Sequence, residues 1–254
     1  MRNQGIMIQE FIALVERYDP DYSRKIRGAS LEEIRHLDEL AGQSLPASYR
    51  EFLAHLGKDM GGLDEGIDFR IEHIIDFYES GEWSPPQGYI LFGIQEDDPY
   101  LDFYLECLDS KEEDCPVVRF PSEGEFSKEN YFYPWMPSLN DFLLAMAFSE
   151  KRMEDFDLQR LLTPSTGSRK QVPGVISEPI ELARIIDERA HLLGFERVAR
   201  SSRVYRFYDH QDSALYVRLD ELGGIMGVTV AARKGRELER ISDILSNKTS
   251  LVVP

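Results

Sequence analysis

The stretch SLEEIRHLDELAGQSLPASYREFLAHLGKDMGGL, residues 30–63, decides the fold of the first half of the chain. Ser30 followed three residues later by Glu33 forms a capping box, which predicts that a helix begins here. Apolar residues then recur at helical spacing, and Gly42 is placed to end the helix. This apolar stripe consists of Leu31, Ile34, Leu37 and Leu40.

A second helix is predicted to follow directly, because Pro46 suits the first turn of a helix. Its apolar side chains lie three or four residues apart, so they share one face that we expect to be buried. That face consists of Tyr49, Phe52, Leu53 and Leu56. Gly57 and the pair Gly61 and Gly62 are expected to end the helix.

Beyond these helices the apolar spacing changes from that of a helix to the alternation of a β-strand. One face of the strand in residues 100–107 is predicted to consist of Leu101, Phe103, Leu105 and Cys107, and the outward face of Asp102, Tyr104 and Glu106. Residues 88–94 and 115–120 are predicted to be neighbouring strands, and Ser138 to cap a closing helix. The sequence therefore predicts an α+β domain of N-terminal helices, an antiparallel sheet and a closing helix.

Charge and composition divide the 254-residue chain into parts. Residues 1–150 contain 12 basic and 31 acidic residues, whereas the remainder contains 17 basic and 15 acidic ones. Residues 163–174, TPSTGSRKQVPG, are rich in turn formers and favour a linker. We predict an acidic domain at 1–150, a helical tail and linker at 151–174, and a small α+β domain at 175–254.

The net charge of −17 limits the classes of partner. So acidic a chain repels phosphates and anionic lipids, which predicts no direct binding of nucleic acid or membrane and favours a basic protein partner. The N-terminus lacks the apolar core of a signal peptide, and no apolar run is long enough to span a bilayer. Cys107 and Cys115 fit no disulfide framework, so we expect a cytoplasmic protein.

Motifs of catalysis and cofactor binding are missing from the sequence. The five histidines include no HExxH or i, i+4 pair, and there is no phosphate-binding GxxxxGK[ST] or nucleophile GxSxG. We therefore predict no metal, no cofactor and no catalytic residue. A catalytic carboxylate pair stays open as an alternative, because 46 acidic residues bring some carboxylates together.

Acidic residues are densest in EDDPYLDFYLECLDSKEED, residues 96–114. Carboxylates beside a tyrosine on an exposed strand suit the recognition of a basic protein, since charge steers the partner and aromatic area holds it. The candidate partner-binding residues are Asp97, Asp98, Asp102, Tyr104 and Glu106. A charged face that serves only solubility is the alternative, and the sequence leaves both open.

Residues 30–63 resemble the signature of the SUKH superfamily, which is named in part after a yeast regulator of cell-wall glucan synthesis. The matching positions are Leu31, Ile34, Leu37, Leu45, Pro46, Tyr49, Phe52, Leu53, Gly61 and Gly62, with Ser138, Leu139, Phe142 and Leu143 in the closing helix. The resemblance covers about residues 28–150. By their chemistry these residues serve the fold, so no active site is carried over.

The resemblance also implies a function. Bacterial SUKH proteins are mostly immunity proteins that neutralise partner toxins, many of them nucleases, whereas fungal members act as interaction proteins in cell-wall regulation. It therefore implies an immunity protein for a basic, nuclease-type toxin of a bacterial polymorphic toxin system. The alternative is a regulatory or scaffold protein that binds an endogenous partner. Residues 175–254 show no such resemblance.

Overall fold

The computed structural model describes residues 7–63, 66–95, 101–108, 113–129, 131–165, 173–198 and 204–254. The chain divides into two compact units, residues 1–147 and 148–254. Each unit combines helices with an antiparallel sheet, so the predicted α+β class is confirmed. Within these ranges no helix combines the length and the apolar character that a bilayer crossing requires.

The described part of the first unit contains five α-helices, and two of them begin at the predicted capping residues, Ser30 and Ser138. The five helices are α1 (Met7–Glu16), α2 (Leu31–Leu40), α3 (Ala47–Leu56), α4 (Ile71–Ser80) and α5 (Leu139–Phe148). The Ser30 hydroxyl accepts from the Glu33 amide at 3.2 Å, and the Glu33 carboxylate accepts from the Ser30 amide at 2.8 Å. Ser138 caps α5 through the Asp141 amide at 3.0 Å. The sequence prediction did not include α4.

The first unit contains a five-stranded antiparallel sheet in the order β3-β4-β5-β6-β7. Its strands are β3 (Ile67–Asp68), β4 (Tyr89–Gln95), β5 (Asp102–Glu106), β6 (Val117–Phe120) and β7 (Tyr133–Met136), and a separate two-stranded sheet pairs β1 (Ile26–Arg27) with β2 (Asp59–Met60). Residues 89–95, 102–106 and 117–120 confirm the three predicted strands.

Aromatic side chains join the helices to the main sheet. The rings of Phe52 on α3 and Phe69 lie 6.1 Å apart, Phe69 and Phe92 on β4 lie 5.6 Å apart, and Phe92 and Phe142 on α5 lie 5.5 Å apart. Such pairs contribute beyond their buried area. The motif positions Leu45, Pro46, Tyr49, Phe52 and Leu53 are all buried, as predicted.

Gly61 and Gly62 of the motif adopt a backbone conformation that favours glycine. Gly61 and Gly62 have φ angles of 67° and 77°, and a Cβ at Gly61 would lie 2.8 Å from the Tyr22 ring. A side chain at either position would therefore be strained.

The predicted apolar stripe of α2 is wrong for Leu31. This residue is 84% exposed in the first turn of the helix, and only Ile34 and Leu37 are buried in α2.

The second unit packs two helices on a six-stranded antiparallel sheet in the order β13-β8-β12-β11-β10-β9. After a π-helical turn at Ser149–Met153, its elements are β8 (Leu158–Pro164), α6 (Pro179–Leu192), β9 (Glu196–Arg197), β10 (Tyr205–His210), β11 (Ser213–Leu219), β12 (Ile225–Ala232), α7 (Gly235–Ser246) and β13 (Leu251–Val252). Residues of both helices share one core cluster with those of the strands.

The predicted tail and linker at 151–174 is wrong for residues 158–164. These residues form β8, which pairs with both β12 and β13 inside the sheet of the second unit. Residues 165–178 therefore connect β8 to α6 within one unit. The sequence pattern did not predict this strand. Leu162 is the only buried residue of β8, so buried apolar and exposed polar residues do not alternate along it.

Candidate functional site

The predicted outward face of β5 is covered. Tyr104 is fully buried and Asp102 is 6% exposed, so the prediction of an exposed recognition face is wrong for these two residues. The Tyr104 ring stacks on that of Phe120, with the centroids 3.8 Å apart and the planes 8° from parallel. The alternation along β5 is correct, but both faces of the strand lie against other side chains.

The residues that cover this face follow β6, and we call residues 121–129 the covering segment. Within it, the ring of Phe126 lies 4.9 Å from that of Phe120. The Trp83 indole NH donates to the Gly124 carbonyl at 3.0 Å. Because both contacts involve residues outside β5, the pattern of that strand alone did not reveal them.

Hydrogen bonds attach the covering segment to β5. The Asp102 carboxylate accepts from the backbone NH of Gln95 at 2.9 Å and from the Ser122 hydroxyl. The Ser122 hydroxyl also hydrogen-bonds the hydroxyl of Tyr104. Burial raises the pKa of Tyr104 well above its ordinary value, so this phenol stays neutral. The buried carboxylate is thus satisfied by hydrogen bonds, as a stable buried polar group must be.

Glu106, the third predicted residue on this face, retains partial access to solvent, with its side chain 21% exposed. Its carboxylate accepts from the Lys128 ammonium at 2.6 Å and from the Tyr89 hydroxyl at 2.9 Å. Hydrogen bonds to Glu106 and Tyr89 raise the pKa of Lys128. Asp97 and Asp98 lie outside the described residues.

An aromatic groove opens between the covering segment and β7, with a volume of about 900 Å³. The residues that line this groove include Glu123, Glu125, Phe126, Tyr131 and Tyr133. Tyr131 is 69% exposed and Tyr133 is 46% exposed. Tyr131 also has a φ of 58°, a conformation that is unusual for a bulky side chain and that often marks functional sites.

Other aromatic rings near this edge of the sheet already contact cations of the protein itself. The Arg119 guanidinium lies 4.5 Å from the Phe103 ring centre and 5.3 Å from that of Trp135, and the Lys128 ammonium lies 5.1 Å from that of Phe132. Among the described residues, Tyr131 and Tyr133 have no such cation, and neither Glu123 nor Glu125 has an ion pair. These four side chains bring two aromatic rings and two carboxylates to one groove.

A second, smaller pocket of about 390 Å³ lies beside β3. Asp68 there accepts from Arg70 at 2.6 Å and also contacts His73. Burial alone would raise the pKa of Asp68, but the hydrogen bonds from Arg70 and His73 outweigh it and lower the pKa to about 2. The lysine of this pocket is also paired, since Lys58 lies 2.7 Å from Glu33. The charges of this pocket are therefore compensated internally.

Metal ligation finds no support in the part of the chain that the structure describes, which contains no cluster of three or more histidine, cysteine or carboxylate side chains placed to hold an ion. The chemistry offered by the aromatic groove is that of non-covalent recognition. The sequence predictions missed Glu123, Glu125, Tyr131 and Tyr133. The mixture of acidic and aromatic residues in 121–135 was the available signal.

The first unit is thus an α+β domain with helices packed on an antiparallel sheet and an acidic, partly aromatic surface. Residues 28–145 match the model of the SMI1/KNR4 family (SUKH-1), so this part of the chain is similar to that family. The matched range begins near β1 and ends within α5, so it includes all five strands of the main sheet. No curated protein matches the chain.

Proposed function

We propose that the chain is a non-catalytic binding protein of the immunity type, which neutralises a basic, nuclease-type toxin by tight non-covalent association. The observation that carries this proposal is the position of the negative charge. Residues 1–150, which include the family match, contain 31 acidic and 12 basic residues, so all of the excess negative charge lies there. Immunity to toxins is also the commonest role among bacterial SUKH proteins.

The proposed mechanism is electrostatic capture followed by occlusion. A nuclease presents a basic surface to the phosphate backbone, and an acidic protein competes for that surface. Opposite charge accelerates the encounter of two proteins and makes the rate depend on ionic strength. No bond is made or broken, so the activity requires only that the acidic unit covers the basic site.

The candidate contacts now differ in role. We propose that Asp97 and Asp98 meet the partner directly, and that Glu106 does so only as part of its ion pair with Lys128. Asp102 and Tyr104 act indirectly in this proposal, because they are buried and hold the covering segment through Ser122. Their substitution would disturb the surface by disturbing the fold beneath it.

The experiment is co-purification of the chain with the product of the neighbouring gene, followed by kinetics of the isolated pair. We expect Asp97→Asn with Asp98→Asn to slow association and weaken its dependence on salt. The matched control removes the same charge from the exposed residues Glu72 and Asp76 on α4. A neighbouring protein that forms no complex with the chain, and whose toxicity the chain does not relieve, would contradict the proposal.

A further inference from the structure

We infer that the aromatic groove receives an arginine side chain of a basic partner protein. The inference rests on the proposed function for the kind of partner and adds the place of contact and the chemical group that is recognised. The groove lies between the covering segment and β7, which is an edge strand of the main sheet.

The carboxylates of the groove supply the charge complementarity. Glu123 and Glu125 are both exposed, and neither has an ion pair among the residues that the structure describes. By contrast, Glu106, beside the same segment, is already neutralised by Lys128 at 2.6 Å. A cation entering the groove therefore meets two carboxylates that remain available to it. Two oxygens on one carboxylate match the parallel NH groups of a guanidinium.

The tyrosines supply flat rings on which a guanidinium can stack. Tyr131 and Tyr133 are 69% and 46% exposed, so a guanidinium from outside can reach both rings. Arginine is the cation that stacks most readily on an aromatic face, because its charged group is planar and weakly hydrated. Lysine carries a compact and strongly hydrated charge, so the groove favours arginine over lysine.

The neighbouring residues already hold an arginine of the chain against aromatic rings. The Arg119 guanidinium lies 5.3 Å from the ring centre of Trp135, two residues beyond Tyr133 on β7. Arg119 is also the residue that pairs with Tyr133 across β6 and β7. This edge of the sheet thus already holds one arginine against an aromatic ring, and the groove offers a second such place to a residue from outside.

The backbone of Tyr131 supports a binding role independently. Its φ of 58° is disfavoured for tyrosine, and the ring is mostly exposed, so burial of this side chain within the unit does not compensate for the strain. Strained residues of this kind concentrate where a side chain must be presented to a ligand.

The test uses the full chain and a labelled, blocked peptide with two arginines in a glycine–serine background, with binding followed by fluorescence anisotropy at low salt. A second peptide has lysine in place of each arginine. The groove variants are Glu123→Gln with Glu125→Gln, and Tyr131→Ala with Tyr133→Ala. The controls are Glu72→Gln with Asp76→Asn for charge, and Tyr131→Phe with Tyr133→Phe for the aromatic rings. Each variant is first checked for cooperative unfolding.

We expect the arginine peptide to bind the wild-type chain saturably and the lysine peptide to bind roughly fivefold more weakly. Each groove variant should weaken binding roughly five- to tenfold, whereas the two controls should change it by less than about twofold. No saturable binding, equal binding of both peptides, or groove variants that bind like the wild-type chain would each overturn the inference.

A parallel measurement with the product of the neighbouring gene separates the two proposals. If that protein binds the wild-type chain and both groove variants equally, the groove is not the contact, and the inference fails while the proposed function stands. If it does not bind the chain at all, the proposed function fails, and the peptide measurement still decides whether the groove recognises arginine.

Discussion

The Asp102 carboxylate on β5 accepts a hydrogen bond from the hydroxyl of Ser122, the second residue after β6, and the same hydroxyl bonds that of Tyr104. Three side chains thus fix the covering segment to the sheet. Because Ser122 directly precedes Glu123, we expect this cluster to help fix the position of Glu123 and Glu125. The surface can therefore bind a partner only when this cluster is folded.

Removal of the buried ring should destabilise this cluster strongly. Tyr104→Ala deletes a fully buried side chain that stacks on Phe120, so we expect a loss of about 3–5 kcal/mol in the free energy of unfolding. Tyr104→Phe keeps the ring and loses only the hydroxyl, at about 1 kcal/mol. Denaturant unfolding measures both. A Tyr104→Ala protein of unchanged stability that no longer binds its partner would show that Tyr104 is a contact residue instead.

The family motif should likewise act through the fold. Phe52 is fully buried on α3 against Phe69, so Phe52→Ala should cost about 3–5 kcal/mol in the free energy of unfolding. Leu31→Ala is the matched control from the same motif, because Leu31 is 84% exposed and should change stability by less than about 0.5 kcal/mol. Equal effects of the two substitutions would contradict the burial that separates them.

The local part of the fold could be predicted from the sequence because its causes are local. The capping box of Ser30 and Glu33 lies within four residues, and the alternation along β5 needs only that strand. The covering of Tyr104 could not be predicted, since it depends on Ser122 and Trp83, each distant in sequence. Residues 158–164 were missed for a similar reason, because their neighbours in the sheet come from β12 and β13.

The predicted surface and the aromatic groove consist of different residues. Charge and aromatic content in residues 96–114 predicted a surface for a basic partner, but Asp102 and Tyr104 of that stretch are buried. The aromatic groove combines the covering segment with β7 and with Leu101, which precedes β5. This combination of segments can be recognised only from the three-dimensional structure.

Residues 158–164 allow a direct test of the boundary between the units. A fragment of residues 148–254 contains the complete six-stranded sheet, whereas residues 175–254 lack β8, which lies between β13 and β12. We expect the longer fragment to unfold cooperatively and the shorter one to be unfolded or aggregated. Circular dichroism during thermal unfolding distinguishes them. A stably folded 175–254 fragment would mean that β8 is dispensable and that the domain boundary predicted from the sequence, at residue 175, is correct.

Acid should remove the contribution of Asp68 to stability. Its pKa is lowered to about 2 in the folded chain, against about 3.9 in an unfolded one, so its stabilising effect is present above about pH 4 and is lost as the pH falls towards 2. The stability difference between the wild-type chain and Asp68→Asn should therefore narrow over that interval. Denaturant titrations at several pH values measure it, with Asp76→Asn as the exposed control. A constant difference down to pH 2 would contradict the assignment.

A substitution that relieves the backbone strain at Tyr131 should stabilise the fold, unlike the substitutions above. Asn tolerates a φ of 58° better than Tyr, and the Tyr131 ring is mostly exposed, so Tyr131→Asn should raise the free energy of unfolding by up to about 1 kcal/mol. The same substitution should weaken binding of the arginine peptide. A variant that is destabilised would indicate that the tyrosine serves packing and not presentation.

The most direct test of the central claim is the association rate of the chain with the product of the neighbouring gene, measured by stopped flow over a series of salt concentrations. If the acidic unit captures a basic toxin, the wild-type rate should fall steeply as salt rises. Asp97→Asn with Asp98→Asn should flatten that dependence more than the charge-matched change at Glu72 and Asp76. A complex whose association rate depends neither on salt nor on these carboxylates, or no complex at all, would contradict the claim.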